Sequence, residues 1–323
     1  MRIFVTGATG FIGSSVIKEL INAGHHVVGL IRSDAGAEAL THAGAEVFRG
    51  DVNDLDRLRT AAVTADGVIH TAFNHDFSNL KQHSEEDRKV IETLGEALLS
   101  SNRPLVVASG TGLVARLKPD EPVLEIDEHV SSTEFPRAAT EEATDSLAIR
   151  GGNVVVVRLS QVHDTCHQGR IAVHIKLALE KGYVAYVGEG NNRLSAVHIS
   201  DAVRLFRLAL EKGRPGAHYH AVGEEGIAMR YIAEVIGTGL KLPVKSLSPE
   251  DVPAYFGFLS NLAAIDLAAS SAWTRQQLGW NPTGPDFLTD LRNTDYSTIY
   301  KAARKEDARC QTPASGIQKS RQG

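Results

Sequence analysis

The chain has 323 residues, 42% of them hydrophobic and 23% charged, an ordinary composition for a globular protein and one that excludes a small disulfide scaffold or a disordered chain. With 34 basic and 39 acidic residues the formal charge is −5, which excludes a dedicated nucleic-acid binder and suits a small neutral or anionic ligand. Cys166 and Cys310 stand in no zinc-binding spacing, so no metal site is expected, and their scarcity points to a reduced, cytoplasmic setting.

Met1 to Gly7 runs straight into a strand and a turn, leaving no room for a signal peptide, and no apolar stretch reaches the ~18 residues of a membrane span. Strands are predicted at Arg2–Thr6, His26–Ile31, Ala45–Arg49, Gly67–His70, Pro104–Ala108 and Asn153–Leu159; their Val/Ile-rich character suits burial on both faces. Amphipathic stretches alternate with them, the longest at Phe11–Ala23, Glu85–Ser100 and Thr133–Ile149. This alternation predicts an α/β fold with a doubly wound parallel sheet. Further helices are expected at Ile171–Lys181, Ser200–Glu211, Met229–Gly237 and Ser270–Leu278. We therefore expect a first domain over 1–162, rejoined by elements from about 194–222, a smaller C-terminal substrate lobe over 163–302, and a mobile tail over 303–323.

The strongest local signal is Thr6-Gly7-Ala8-Thr9-Gly10-Phe11-Ile12-Gly13, between the first strand and the first helix. Gly7 permits a tight turn, Gly10 lets the backbone approach a diphosphate, and Gly13 allows close helix–sheet packing. The helix start then offers unpaired N–H groups to phosphate oxygens. In this context the motif predicts a Rossmann-like dinucleotide site, with Thr6, Thr9, Phe11 and Ile12 completing the turn. Asp51-Val52, after the third strand, faces the adenine, Asp51 accepting from its amino group. The second strand ends in Arg32-Ser33-Asp34 rather than in the usual acidic residue. Arg32 is a clamp for a 2′-phosphate and Ser33 an added donor, which favours NADP over NAD; Asp34 turns toward a ribose or caps the next helix.

These residues, together with His70-Thr71-Ala72 after the fourth strand and segments such as Ala196–Ala202, resemble extended and atypical short-chain dehydrogenase/reductases of the NAD-dependent epimerase and 3β-hydroxysteroid dehydrogenase-like type, over about residues 1–295. The resemblance implies that Thr71, Ala72 and Phe73 line the nicotinamide ribose and that Leu159–Val162 pass near the nicotinamide. It also implies a Ser/Thr, a Tyr and a Lys four residues later, yet no tyrosine occurs between Ser109 and Arg158. Aligned on the family pattern, Thr111 takes the Ser/Thr position, Thr133 the tyrosine position and Arg137 the lysine position. Arg137 can hold ribose hydroxyls, but the Thr133 hydroxyl is too weak an acid for the tyrosine's task. His75, Asp76 and His163 are the candidate proton carriers, with Tyr183, Tyr186 and His198 behind them.

The expected function is an NADP(H)-dependent oxidoreductase acting on a carbonyl or alcohol carbon of a small, partly hydrophobic metabolite. An isomerase, epimerase or lyase-like enzyme without net redox turnover is one alternative, and a catalytically silent dinucleotide sensor another. No nucleic-acid or membrane partner is expected; the family likeness admits a homodimer.

Overall fold

The computed structural model describes residues 1–118 and 120–296; the expected tail over 303–323 lies outside them. The first half alternates β1 (Arg2–Thr6), α1 (Phe11–Asn22), β2 (His26–Ile31), α2 (Asp34–His42), β3 (Glu46–Arg49), α3 (Leu55–Val63), β4 (Gly67–His70), α4 (Leu80–Leu98), β5 (Leu105–Gly110), α5 (Ala139–Ile149) and β6 (Val154–Leu159). Then follow β7 (Gln161–His163), α6 (Ile171–Lys181), β8 (Val184–Val187), β9 (Arg193–His198), α7 (Ile199–Lys212), β10 (His218–Ala221), β11 (Glu224–Ala228), α8 (Met229–Leu240) and β12 (Val244–Leu247). Four short helices, α9 (Val252–Phe256), α10 (Ser260–Ala263), α11 (Ala272–Leu278) and α12 (Phe287–Asn293), finish the described chain.

The main sheet has seven parallel strands in the order β10-β6-β5-β4-β1-β2-β3. Because side chains alternate along a strand, Ile3 and Val5 enter one core with Val16, Ile17, Leu20 and Phe206, while Phe4 enters the other with Leu58, Val68, Ile91 and Leu94. Helices thus cover both faces, which is why these strands carry so little polar surface. The strand order reverses between β1 and β4, and a crevice opens at their carboxyl ends, where such sheets place ligands. The second half adds a three-stranded sheet, β11-β9-β7, and a pair, β12-β8, around a separate apolar cluster that includes Ile171, Ile175, Ile232 and Phe287.

One predicted helix is corrected. The stretch Thr133–Ile149 becomes helical only at Ala139, after a single 3-10 turn at Pro136–Ala138. Pro136 forces the residue before it out of the helical region, and Phe135 is extended, with φ −139° and ψ 109°. Thr133 consequently lies off the helix, exposed, with its hydroxyl on Ser131 Oγ at 2.7 Å.

Candidate active site

The turn after β1 and the ends of β2 and β4 enclose a cleft of about 750 Å³, within the ~300–1,000 Å³ usual for small-molecule sites. Its walls are Gly7–Gly13 on one side, Ile31 and Arg32 beside Gly50 and Val52 at one end, and Thr71–His75 at the other, with His83, Glu86 and Asp87 contributed by α4. The three glycines play different physical parts. Gly7 has φ +69°, and a Cβ there would lie 2.7 Å from Ala72 N; a Cβ on Gly13 would lie 2.1 Å from Gly7 O. Gly10 has an ordinary φ of −73° and its nearest neighbour to a Cβ, Gly7 O, is 3.4 Å away, so its bareness serves nothing inside the protein. Gly10 opens α1, no side chain caps the helix start, and no acidic residue stands in its first turn. Uncapped N–H groups at the positive end of a helix, facing a cleft, make an anion cradle, and the residues present fit a dinucleotide diphosphate.

Arg32 lies at the rim with its side chain 77% exposed, its Nη1 3.4 Å from Asp51 Oδ2. Asp51 spends its other oxygen on Asn53 N at 2.9 Å. Ser33 caps α2, accepting from Gly36 N at 3.2 Å, which leaves its hydroxyl hydrogen available as a donor. Asp34 points instead to Arg49, at 2.7 Å.

Behind Thr71–Phe73 runs a buried polar chain that sequence reasoning missed. Thr6 Oγ1 meets His70 Nδ1 at 2.7 Å, and His70 Nε2 donates to Asp87 Oδ1 at 2.9 Å. Asp87 Oδ2 in turn accepts from Arg137 Nη1 at 3.0 Å and from Thr140 Oγ1 at 2.5 Å. Burial alone would raise the Asp87 pKa, but Arg137, His70 and Thr140 outweigh it and hold the carboxyl below its usual range. The Arg137 guanidinium, its own pKa lowered by burial against the pull of Asp87, sits 3.8 Å from the centre of the Phe73 ring. Asp87 occurs in the charged run Glu85-Glu86-Asp87-Arg88-Lys89, where composition gives it no distinction; only its helical spacing with Ser84, Ile91 and Leu94 marks it as inward-facing.

A second buried network stands one strand further across. Glu141 accepts from Ser109 Oγ at 2.5 Å and from Arg158 Nε and Nη2 at 3.0 and 2.7 Å. It ties β5, α5 and β6 together next to Thr111, which is buried at the end of β5 with Oγ1 3.4 Å from Leu159 O.

The candidate proton carriers separate. His75 lines the cleft and is exposed, yet its pKa is lowered by burial of the ring's surroundings and by the Arg137 charge. Asp76 turns away to hold Ser78 N and Oγ at 3.0 and 2.6 Å, capping a short 3-10 turn. His163 is wholly buried in the second lobe, with Nδ1 2.8 Å from Asp290 Oδ2 and its ring against Phe287 and His198. Burial lowers its pKa although Asp290 opposes this, and its Nε2 has no hydrogen-bond partner among the described residues. Thr133 lies outside the cleft lining, Val162 is buried in the core, and Leu159 is half-buried against it.

A model of the NAD dependent epimerase/dehydratase family matches residues 3–222. An uncharacterized protein of Schizosaccharomyces pombe is 43% identical to this chain over 92% of its length and 100% of the relative's. A UDP-glucose 4-epimerase of Streptomyces lividans is 26% identical, covering 88% of this chain and 92% of its own. Among solved structures, a dTDP-glucose 4,6-dehydratase from Bacillus anthracis in complex with NAD has a TM-score of 0.71 at 17% identity, over 95% of this chain and 98% of that one. The chain belongs to the NAD-dependent epimerase/dehydratase family. It is an NAD(P)-dependent enzyme of the extended short-chain dehydrogenase/reductase type.

Proposed function

We propose that the protein is an NADP(H)-dependent oxidoreductase acting on the carbonyl or alcohol carbon of a small, partly hydrophobic metabolite. The observation that carries the cofactor half of this reading is Arg32, an exposed guanidinium on the rim of a glycine-walled cleft, with only a long contact to Asp51. Arginine matches phosphate oxygens in a forked geometry that no acidic residue offers to a 2′-phosphate. The bound dinucleotide supplies the hydride donor or acceptor. Gly7–Gly13 bind its diphosphate, Thr71–Phe73 and Arg137 hold the ribose beside the nicotinamide, and the half-buried Leu159 closes the far side, whereas Val162, buried in the core, has no part in this reading. Thr111 donates a hydrogen bond to the reacting oxygen. His75 carries the proton: with a lowered pKa it is neutral near pH 7, the form that can accept a proton in the alcohol-oxidising direction, and once protonated it gives the proton up readily. Thr133, Asp76 and His163 have no part in proton transfer in this reading, because their hydrogen bonds and positions commit them elsewhere.

Arg32→Ala tests the cofactor assignment. Loss of a charge-assisted fork worth about 1.5–3 kcal/mol weakens NADPH binding by roughly ten- to a hundredfold and leaves NADH unchanged in calorimetric titration. Equal losses for both dinucleotides contradict it.

The family itself favours a second reading, in which hydride is removed and returned within one turnover. Deuterated cofactor separates the two: net reduction moves the label into product, whereas an epimerase leaves it on the dinucleotide.

A further inference from the structure

We infer that the second lobe carries an oxyanion subsite built on Arg170, and that the substrate is a small carboxylate on an apolar stem rather than a nucleotide-linked sugar. This names the substrate class for the oxidoreductase reading and rests on it.

Arg170 sits at the start of α6 in a recess formed with His174, Asn192, Arg193, Leu194, Met229 and Leu267 among others. Two arginines line this recess and only one is neutralised. Arg193 grips Asp266 through Nε and Nη2 at 3.1 and 2.7 Å. Arg170 is exposed, and no hydrogen bond or ion pair engages its side chain among the described residues. The protein around it nonetheless lowers its pKa by desolvation, and no carboxylate of the described residues stands near enough to oppose that. Solvent therefore reaches a guanidinium that the surrounding protein disfavours, a state relieved by a bound anion. Burial and the Arg170 charge push His174 down to about 4, so this ring is neutral at pH 7 and adds no competing charge.

The segment that carries Arg170 is held in place. Gln161 Nε2 donates to Gln168 O at 2.5 Å, and Gln168 Nε2 donates to Asp164 O and Thr294 Oγ1 at 2.6 and 2.8 Å. His167 lies stacked on Phe11 of the dinucleotide turn, ring centres 4.3 Å apart, so this loop joins the recess to the cofactor cleft. The recess also borders the loop of the proposed oxygen donor: a Cβ on Gly112, next to Thr111, would lie 3.8 Å from Leu267 Cδ2.

Size selects the ligand class. The recess encloses about 10 Å³, on the scale of a single water, and the rest of its wall is Ile171, Leu194, Met229, Leu262 and Leu267. A carboxylate oxygen entering it leaves an apolar stem along that wall. A carboxylate presents such an oxygen on an apolar carbon that suits this wall, whereas a phosphate brings further charged oxygens that the apolar side chains cannot hydrogen-bond.

The test measures binding rather than turnover, using saturation-transfer NMR titrations of 4-formylbenzoate, its methyl ester, 4-formylphenyl phosphate and UDP-glucose on the full chain, with and without NADPH. The expected result is saturable binding of 4-formylbenzoate that Arg170→Gln weakens about tenfold and Arg170→Lys restores in part, while the uncharged ester binds weakly and equally to all three proteins. Thermal melts of the variants that match the parent keep this result separate from misfolding. Equal affinity for acid and ester, no change in Arg170→Gln, or no binding at millimolar concentration overturns the subsite. Tighter, Arg170-dependent binding of the phosphate or of UDP-glucose overturns the carboxylate assignment. Arg170-dependent carboxylate binding with no response to NADPH leaves the subsite standing and counts against the cofactor reading instead.

Discussion

At the scale of single residues, charge placement governs what the molecule does with pH. His129 Nε2 lies 3.2 Å from Asp145 Oδ2, and His218 Nε2 lies 3.4 Å from Asp145 Oδ1, beside a further cavity of about 470 Å³. The hydrogen bond to Asp145 outweighs burial and raises the His129 pKa from 6.5 to about 9. Burial pulls the Asp145 carboxyl the other way, but His129 and His218 together hold it well below the usual carboxylate range. The signs follow by linkage. A raised histidine pKa contributes stability that is complete below about pH 6.5 and lost as pH rises through about 9. The depressed Asp145 pKa contributes above the ordinary carboxylate range, and that share fades on acidification. Urea midpoints measured from pH 6.5 to 9 are therefore expected to fall with pH in the parent, and His129→Asn is expected to flatten that slope. An unchanged slope in the variant contradicts the assignment. The His129–Asp145 pair was not legible in the sequence, because 16 residues separate its members and only the path through Pro136 brings them together.

Among the elements, α5 joins two strands of the main sheet through one buried carboxylate. Its Glu141 is wholly buried and bound to Arg158 of β6 and Ser109 of β5. Removing one member of a buried ion pair leaves the other without a counter-charge, at a cost of about 3–5 kcal/mol. Glu141→Gln is accordingly expected to lower stability by about that amount in denaturant titration, and a change below about 1 kcal/mol contradicts the claim that this pair joins the three elements. The strands of the main sheet were readable because a strand buried on both faces is a run of Val and Ile whatever surrounds it. The start of α5 was not, since the amphipathic spacing runs back to Thr133 while Pro136 keeps the preceding residues out of the helix. For the same reason the position aligned with the missing tyrosine is an exposed turn rather than the wall of a cleft.

For the molecule as a whole, the doubly wound sheet dictates where chemistry can occur, and the glycine turn, Arg32 and Thr71–Phe73 were legible because each follows a strand directly. Asp87 behind them, and the joining of Arg137 and His70 through it, were not. His70, Asp87 and Arg137 come from β4, α4 and the turn before α5, and only the packed fold brings them into one hydrogen-bonded chain. In the recess of the second lobe, likewise, only the packed fold shows that Arg193 is paired with Asp266 while Arg170 meets no carboxylate among the described residues.

The central claim is that the turn after β1 binds a dinucleotide diphosphate through bare main-chain amides. Gly10 tests it most directly, because the nearest atom to a Cβ there is Gly7 O at 3.4 Å and its φ of −73° suits any residue. Calorimetric titration of NADPH is predicted to give saturable heat with the parent and none with Gly10→Val, at matched melting temperatures. Heat that is absent from the parent, or equal in both proteins, contradicts the account.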